Sequence, residues 1–260
     1  MKLDLFQADA FASGLFAGNP AAVVPLTEWL PDQTMQQIAM ENNLSETAFF
    51  VAEGENYHIR WFTPLAEVAL CGHATLASAH ILFAELGFSK PVVRFMSKSG
   101  LLTVERKGGL LELNFPADFV KPAILPDSVA RGIIATPLEV YKGKTDYLLF
   151  YPSEEIIKNL KPGYSLLKTA DARGIIVTAP GITVDFVSRF FAPAVGIDED
   201  PVTGSAHTLL TPFWSARLQK KTMTAMQLSK RGGHLTCTLD NDRVLIAGKA
   251  VTYLKGEIRI

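Results

Sequence analysis

The chain has 260 residues, of which 48% are hydrophobic and 20% are charged, and its formal net charge at pH 7 is −1. This composition is typical of a globular protein and excludes a disordered or fibrous chain, and the length suits two domains of ordinary size. The near-zero net charge excludes a general electrostatic attraction to nucleic acid or to an anionic membrane surface.

The start of the chain and its cysteine content bear on where the protein works. Residues 10–27 carry no charge, but glycines and prolines interrupt them, and Asp4 and Asp9 lie where a signal peptide is basic. No apolar run is long enough to span a bilayer. The two cysteines, Cys71 and Cys237, cannot form a disulfide framework and lack the spacing of a structural zinc site. We therefore expect a cytoplasmic protein that holds no metal.

The first half of the chain predicts strands on either side of one buried helix. Aromatic and β-branched runs at residues 44–51 and 57–62 predict the two strands of a hairpin. Residues 73–86 are apolar on nearly every side and are followed by Gly87, a pattern typical of a buried helix and its end. Residues 101–115 alternate in polarity and predict further strands.

The second half of the chain repeats the first. Three segments recur in the same order after 129 to 132 positions. The pairs are RWFTP (60–64) with RFFAP (189–193), GHATL (72–76) with GSAHTL (204–209), and SKSG (97–100) with SKRG (229–232). Short patterns of this kind also recur by chance in β-rich proteins, but the shared order and spacing favour duplication of a whole domain.

This duplication sets the predicted fold. Residues 186–191 match a strand of the first half, and residues 205–218 match its helix, with Pro212 expected to kink that helix or shift its start. We predict an α+β fold of two pseudo-symmetric domains, each a mostly antiparallel, barrel-like sheet around a central buried helix. The predicted domains are residues 1–116 and 117–249, with a terminal strand near 250–260 that joins the first domain.

Both predicted helices begin at a glycine, Gly72 in the first half and Gly204 in the second. The first N–H groups of a helix lack internal partners and lie at the positive end of its dipole, and a glycine permits a ligand to approach closely. Such helix starts bind carboxylate or phosphate groups without a basic side chain. The alternative is that the glycines only begin helices, with Ser205 as an N-cap. Because pseudo-twofold symmetry would bring both starts to one cleft, we expect a small anionic substrate there.

Three ionisable side chains near these segments are candidates for chemistry. Glu46 heads an apolar strand, where it either faces solvent or is buried as a general acid/base. The matching part of the second half, residues 171–173, has no Ser-Glu pair, so the two halves are not chemically equivalent. His73 is either a core histidine or a proton carrier, and Asp200 could orient its imidazole. The dipole of the second helix explains the acidic side chain of Glu199.

Four segments resemble, in order, the motifs of the PhzF-type phenazine-biosynthesis proteins, which belong with the diaminopimelate-epimerase fold. The segments are FAGNPAAVV (16–24), SETAF (45–49), CGHATL (71–76) and EDPVTGSA (199–206). The resemblance implies two similar domains with the active site in the cleft between them, usually in a homodimer. It also implies isomerisation by proton transfer, without a metal or an organic cofactor.

Carried over to this chain, the resemblance assigns a role to each candidate residue. Glu46 would be the base that removes a proton from the substrate and returns it elsewhere on the same molecule. The accompanying catalytic residues would be His73, Asp200 and Ser205, and the substrate-binding residues would be Ser45, Gly72 and Gly204.

One difference from a related enzyme limits which functional roles can be assigned to this chain. Diaminopimelate epimerase uses two cysteines, one at each helix start, whereas this chain has Cys71 at the first start and no cysteine among residues 200–203. We therefore predict an isomerase that moves a proton on a small carboxylate-bearing metabolite, with Glu46 as general acid/base. The alternatives are a racemase or epimerase that depends on Cys71, and a non-catalytic small-molecule-binding protein.

Overall fold

The computed structural model describes residues 1–260. The chain divides into two compact units, which we call the N-terminal unit (Met1–Asn114 with Ala247–Ile260) and the C-terminal unit (Phe115–Ile246). No helix of the chain combines the length and the apolar character needed to cross a membrane.

Secondary structure alternates between strands and short helices along the chain. In the first half the elements are β1 (Lys2–Ala10), β2 (Asn19–Leu26), α1 (Asp32–Asn42), β3 (Glu46–Glu53), β4 (Asn56–Phe62), β5 (Glu67–Val68), α2 (Gly72–Ala84), β6 (Val92–Ser97), β7 (Gly100–Lys107) and β8 (Leu110–Pro116). In the second half they are β9 (Lys121–Pro122), α3 (Asp127–Gly132), β10 (Glu139–Lys142), β11 (Asp146–Phe150), α4 (Glu154–Asn159), α5 (Tyr164–Leu167), β12 (Gly174–Pro180), β13 (Phe186–Phe191), α6 (Gly204–Leu218), β14 (Thr222–Gln227), β15 (Gly233–Asp240), β16 (Arg243–Gly248) and β17 (Ala250–Arg259).

The N-terminal unit is built on a mostly antiparallel sheet. Strand β1 pairs antiparallel with both β2 and β17, so the first and the last strands of the chain are neighbours in the same sheet. From β2 the pairing runs parallel to β3, antiparallel to β4, parallel to β6, and antiparallel to β7. Helix α2 packs against β1, β2 and β3.

The C-terminal unit repeats this alternation of strand directions. From β11 the pairing runs parallel to β12, antiparallel to β13, parallel to β14, and antiparallel to β15. Helix α6 packs against β14 and β15. The predicted α+β fold, with one mostly antiparallel sheet and one buried helix in each half, is confirmed.

The two units also share strand register. Arg60 of β4 lies opposite Phe49 of β3, and Arg189 of β13 lies opposite Val177 of β12. Glu46 lies three residues before Phe49, and Gly174 lies three residues before Val177. The two residues therefore occupy equivalent positions, each at the start of its strand. The register therefore identifies equivalent residues of the two units one by one.

Each equivalent arginine forms the same kind of ion pair. Arg60 binds Glu67 through two hydrogen bonds of 2.8 and 2.9 Å, and Arg189 binds Glu199 through two of 2.7 and 2.9 Å. Such bidentate pairs fix both side chains in one orientation. The carboxylate of Glu199 is therefore held by a buried guanidinium, a partner that the sequence analysis did not predict.

The helix α2 is buried because nearly all of its surface is apolar. Ala74, Leu76 and Ala77 have no exposed surface. The hydroxyl groups of Thr75 and Ser78 are buried too, and each donates to the carbonyl oxygen four residues earlier in the helix. These two hydroxyl groups are thus satisfied by the helix backbone and the N-cap, so their positions can be buried without unpaired polar atoms.

The helix α6 starts at Gly204, as the repeat predicts, and continues through Pro212. A proline has no N–H, so it leaves the carbonyl group four residues earlier, that of Thr208, without its helical partner. The backbone N–H of Asp118 donates to this carbonyl oxygen at 3.1 Å. A neighbouring segment thus supplies the hydrogen bond that the proline removes, and the helix need not end there.

Candidate active site

Glu46 is buried. It is the first residue of β3, the first five residues of this strand are all buried, and Glu46 has only 8% of its surface exposed. The strand lies next to β2, where Glu46 pairs with Ala21. Of the two interpretations that the sequence leaves open, the buried one is therefore observed.

His73, at the start of α2, meets this carboxylate, and Cys71 contacts the ring of His73. The Oε2 atom of Glu46 lies 3.1 Å from Nε2 of His73, and Nδ1 of the same ring lies 3.6 Å from Sγ of Cys71. His73 and Cys71 are 5% and 6% exposed. We call these three residues the Glu46–Cys71–His73 cluster. It brings an acid, a thiol and an imidazole together within the N-terminal unit.

The amide of Asn19 holds the ring of His73 from its other side. Asn19 begins β2 and is fully buried, and its Nδ2 atom lies 3.2 Å from Nδ1 of His73. The amide therefore helps to fix the orientation of the imidazole, with Nε2 directed at Glu46. The sequence analysis missed Asn19, although it lies in the first motif of the resemblance.

Glu46 and His73 lie within ion-pair distance of each other but do not form an aligned hydrogen bond. Oε2 of Glu46 and Nε2 of His73 are both inaccessible to solvent, and neither has a hydrogen-bond partner of acceptable geometry. Buried polar atoms in folded proteins nearly always have partners, so such a pair indicates a place where a ligand supplies the missing interaction.

Burial and neighbouring charge act in opposite directions on His73. Burial lowers the pKa of its imidazole, but the electrostatic and hydrogen-bonding interactions with Cys71 and Glu46 outweigh burial and hold this pKa well above its ordinary value of 6.5. Burial also raises the pKa of the Cys71 thiol to about 11, so the thiol is neutral at pH 7. The carboxylate of Glu46 is therefore the negative group that supports an imidazolium at neutral pH.

The start of α2 lies beside the cluster and has no side-chain cap. The N-cap is Cys71, in an extended backbone conformation, and its side chain makes no capping hydrogen bond. The N–H groups that follow, beginning with Gly72, are at the positive end of the helix. Ser45 is half-buried and directly precedes Glu46. Ser45, Glu46, Gly72 and His73 thus form one group of predicted site residues.

The predicted residues of the C-terminal unit form a second group, at the start of α6. Asp200 is buried and its carboxylate accepts a hydrogen bond from the hydroxyl of Thr203, the N-cap of α6. Gln227 of β14 fixes this turn, because its Oε1 accepts from the Thr203 N–H at 2.9 Å and its Nε2 donates to the Asp200 carbonyl at 2.7 Å. Gly204 and Ser205 follow at the first turn of the helix.

An arginine that the sequence analysis missed holds Ser205. Arg173 donates from Nη1 to Oγ of Ser205 at 3.0 Å, and its other edge binds both carboxylate oxygens of Asp146. Arg173 directly precedes β12, so it occupies the position that Ser45 has before β3. A basic side chain, already paired with Asp146, therefore lies at the start of α6, where the sequence analysis expected none.

The two units differ at the position of the carboxylate. Gly174 is the counterpart of Glu46, and a Cβ atom placed on Gly174 would lie 2.3 Å from Cζ of Phe190. No side chain fits there while the Phe190 ring stays in place. Thus the C-terminal unit has an aromatic ring where the N-terminal unit has its buried acid.

Replacement of Glu46 by glutamine tests the electrostatic link to His73. The pKa of His73 should fall, because burial persists after the supporting charge is lost. In the wild type, the stability contributed by His73 is fully present below about pH 6.5 and is lost as the pH rises through the raised folded-state pKa. An NMR titration of the imidazole signals measures the shift, and urea unfolding across this pH range measures the stability.

The control is Glu53→Gln, which changes the exposed carboxylate at the other end of β3 and should leave the titration of His73 as in the wild type. If His73 titrates at the same pH in the wild type and in Glu46→Gln, the carboxylate does not support the imidazolium.

Comparison with known proteins places the chain in a family. Residues 8–256 match the PhzC-PhzF family of phenazine biosynthesis-like proteins. An uncharacterized isomerase of Pseudomonas aeruginosa is 51% identical, with 100% of both chains covered. The crystal structure of a PhzF-family phenazine biosynthesis protein from Enterococcus faecalis is 45% identical, covers 100% of both chains and has a TM-score of 0.97.

A more distant structure supports the fold alone. A hydroxyproline epimerase from Agrobacterium vitis has a TM-score of 0.66 at 11% identity, with 99% of this chain and 92% of the epimerase covered. The alternative of a non-catalytic binding protein is set aside, because the similar full-length protein is named as an isomerase. The chain is an isomerase and belongs to the PhzC-PhzF family of phenazine biosynthesis-like proteins.

Proposed function

We propose that the protein moves a proton from one carbon atom to another on a small carboxylate-bearing metabolite, without a cofactor, and that Glu46 is the general acid/base. The observation that carries this proposal is the buried Oε2 atom of Glu46, which lies 3.1 Å from His73 without an aligned hydrogen bond. An oxygen that has no aligned hydrogen bond from a protein donor can accept a proton from a substrate.

The reaction needs only one ionisable oxygen. The carboxylate of Glu46 accepts the proton as the C–H bond breaks, and the electron pair of that bond is delocalised toward the substrate's own carboxylate or conjugated system. The resulting carboxylic acid then returns the same proton to a second carbon atom. Because Glu46 is buried, exchange of this proton with water is slow, which favours transfer within the substrate.

His73 supports both halves of this cycle. While Glu46 is ionised, the imidazolium is balanced by the neighbouring carboxylate. When Glu46 takes the proton it becomes neutral, and the positive charge of His73 is then available to stabilise the anion that forms on the substrate. The ring already lies beside the carboxylate of Glu46, so little reorganisation accompanies the reaction.

Substrate binding is supported by the two uncapped helix starts. Gly72 begins a helix whose first N–H groups suit a carboxylate, and Ser45 lies directly before the catalytic acid in sequence. At the other helix start, Ser205 is fixed by Arg173, and Asp200 shapes the turn that precedes Gly204. We propose that these residues orient the substrate. The homodimer and the cytoplasmic location expected from the resemblance are part of the same proposal.

A second candidate function uses Cys71 as an acid/base in a racemase or epimerase. The observation in its favour is proximity, because one ligand atom from each of Glu46, Cys71 and His73 lies within 4.8 Å of the other two. Against it, burial raises the thiol pKa to about 11, so only roughly one thiol in ten thousand is ionised at pH 7. The equivalent N-cap in the C-terminal unit is Thr203, which is no acid/base.

Substitution of Glu46 by glutamine tests the main proposal. A library of carboxylate metabolites is incubated with the protein in heavy water, and NMR records which C–H signals are replaced by deuterium or moved. The wild type should act on at least one compound, and Glu46→Gln should slow that reaction by about 10²–10⁴-fold, the usual contribution of a general acid/base. Glu53→Gln is the matched control and should react at the wild-type rate. A Glu46→Gln variant with full activity would remove Glu46 from the mechanism.

Substitution of Cys71 by alanine separates the two candidate functions. If Glu46 acts alone, Cys71→Ala should retain the reaction within about tenfold, since a neutral buried thiol acts as a small apolar side chain. The same NMR assay measures the rate, and circular dichroism verifies folding. A folded but inactive Cys71→Ala variant would favour the thiol-dependent racemase or epimerase.

A further inference from the structure

Strand β17 forms an edge of the sheet in the N-terminal unit. It is ten residues long and pairs antiparallel with β1, and no strand pairs with its other side. Helix α2 covers part of one face, but residues 253–257 are all exposed. An edge of this kind presents unpaired N–H and C=O groups that another strand can bind. The edge is therefore a surface on which a further chain can extend the sheet.

Exposed apolar side chains lie beside this edge. Tyr253 and Leu254 of β17 are 50% and 39% exposed, and Phe16, in the loop after β1, is 69% exposed. The rings of Phe16 and Tyr253 contact each other, with their centroids 5.9 Å apart. Phe16 has a φ of +69°, which is uncommon for a bulky residue, and its N–H donates to the carboxylate of Asp9 at 3.2 Å. Apolar surface clustered in this way is typical of a contact with another molecule.

The sequence LKGEI (254–258) of this edge is complementary to its own reverse. Two copies that pair antiparallel around a twofold axis at Gly256 place Lys255 of each copy opposite Glu257 of the other. The same register places the leucine of one copy opposite the isoleucine of the other. An axis at Lys255 or at Glu257 would instead bring two like charges together, which destabilises a strand pair. The side chains thus favour one register of self-pairing over its neighbours.

The ion pairs already present at this edge fit the same register. Oε1 of Glu257 lies 3.0 Å from Nζ of Lys2, and Nζ of Lys255 lies 3.3 Å from Oε2 of Glu85. Pairing of two copies would join these pairs into a row of four alternating charges on each side of the axis. Such a network stabilises more than isolated exposed pairs do. A lysine on an edge strand usually keeps other chains away, but a glutamate opposite it removes that obstacle for a second copy in this register.

We propose that the protein forms a dimer in which β17 pairs antiparallel with β17 of a second copy, around a twofold axis at Gly256. In a twofold dimer each surface patch meets the same patch of the partner, so the strand at the axis must complement its own reverse, as this one does. The exposed rings of Phe16 and Tyr253 add apolar area beside the paired strands. The interface rests on the homodimer that is part of the proposed function, and it is independent of the chemistry assigned to Glu46.

Charge reversal at the two central positions tests the interface without any assay of activity. The full-length wild type should sediment as a dimer in analytical ultracentrifugation. Lys255→Glu places glutamates opposite each other on both sides of the axis, and Glu257→Lys places lysines there. Each substitution should therefore raise the Kd of the dimer by at least about tenfold, since it replaces attraction by repulsion twice. Circular dichroism verifies that both variants are folded.

An equimolar mixture of the two variants gives the sharpest comparison. In a mixed dimer the two substituted side chains face each other as opposite charges, and the unchanged Lys255 of one chain faces the unchanged Glu257 of the other. The mixture should therefore associate with a Kd close to that of the wild type, and so should the double variant Lys255→Glu/Glu257→Lys. The matched control is Lys90→Glu, which reverses an exposed lysine that pairs with Glu55 in the same unit and should stay dimeric.

Each outcome bears on a different part of the proposal. Folded single variants that keep the wild-type Kd would overturn the interface and leave the homodimer in place. Single variants that dissociate but do not associate with each other on mixing would overturn the register. A monomeric wild type would overturn both the interface and the homodimer, while the role of Glu46 would still depend on its own assay.

Discussion

The close approach of a buried carboxylate to a buried imidazole is the contact on which the proposed chemistry of this protein depends. Removing two ionisable groups from water carries a large cost, and only their mutual attraction offsets it. In this protein the attraction acts across 3.1 Å without the directed hydrogen bond that would usually accompany it. The pair is held in place by surrounding structure, through the amide of Asn19 and the rigid start of α2. In the proposed mechanism, a substrate takes up its unused bonding capacity.

Duplication accounts for the scaffold, and divergence of the copies accounts for the site. Both units keep the order of strand directions, the buried helix with a glycine at its start, and a bidentate arginine–glutamate pair. They differ where the acid lies, because Gly174 and the ring of Phe190 replace the carboxylate. The second unit instead has Arg173, which fixes the hydroxyl of Ser205. The duplicated fold thus has a buried carboxylate in one unit and an arginine–aspartate ion pair that holds a serine in the other.

The sequence predicts the scaffold better than the contacts of the site. Helices that are apolar on all sides and segments that recur at one spacing are local patterns, so α2, α6 and β13 follow from them directly. The burial of Glu46 could not be derived, because every residue at the start of β3 is buried and the strand shows no alternation there. Asn19 and Arg173 were missed because each acts on an element far away in the sequence. The pairing of Glu199 with Arg189 was also missed, because the sequence alone does not show that these two side chains meet.

The fate of a single labelled hydrogen tests the central claim that one buried acid both removes and returns the proton. Once the metabolite screen has identified a substrate, its labile C–H is replaced by C–D, and a single turnover is followed in ordinary water. The account predicts that a measurable fraction of the product carries deuterium at the new position, because the acid of Glu46 exchanges slowly with solvent. A product without any deuterium, formed while the remaining substrate keeps its label, would show that a different group returns the proton.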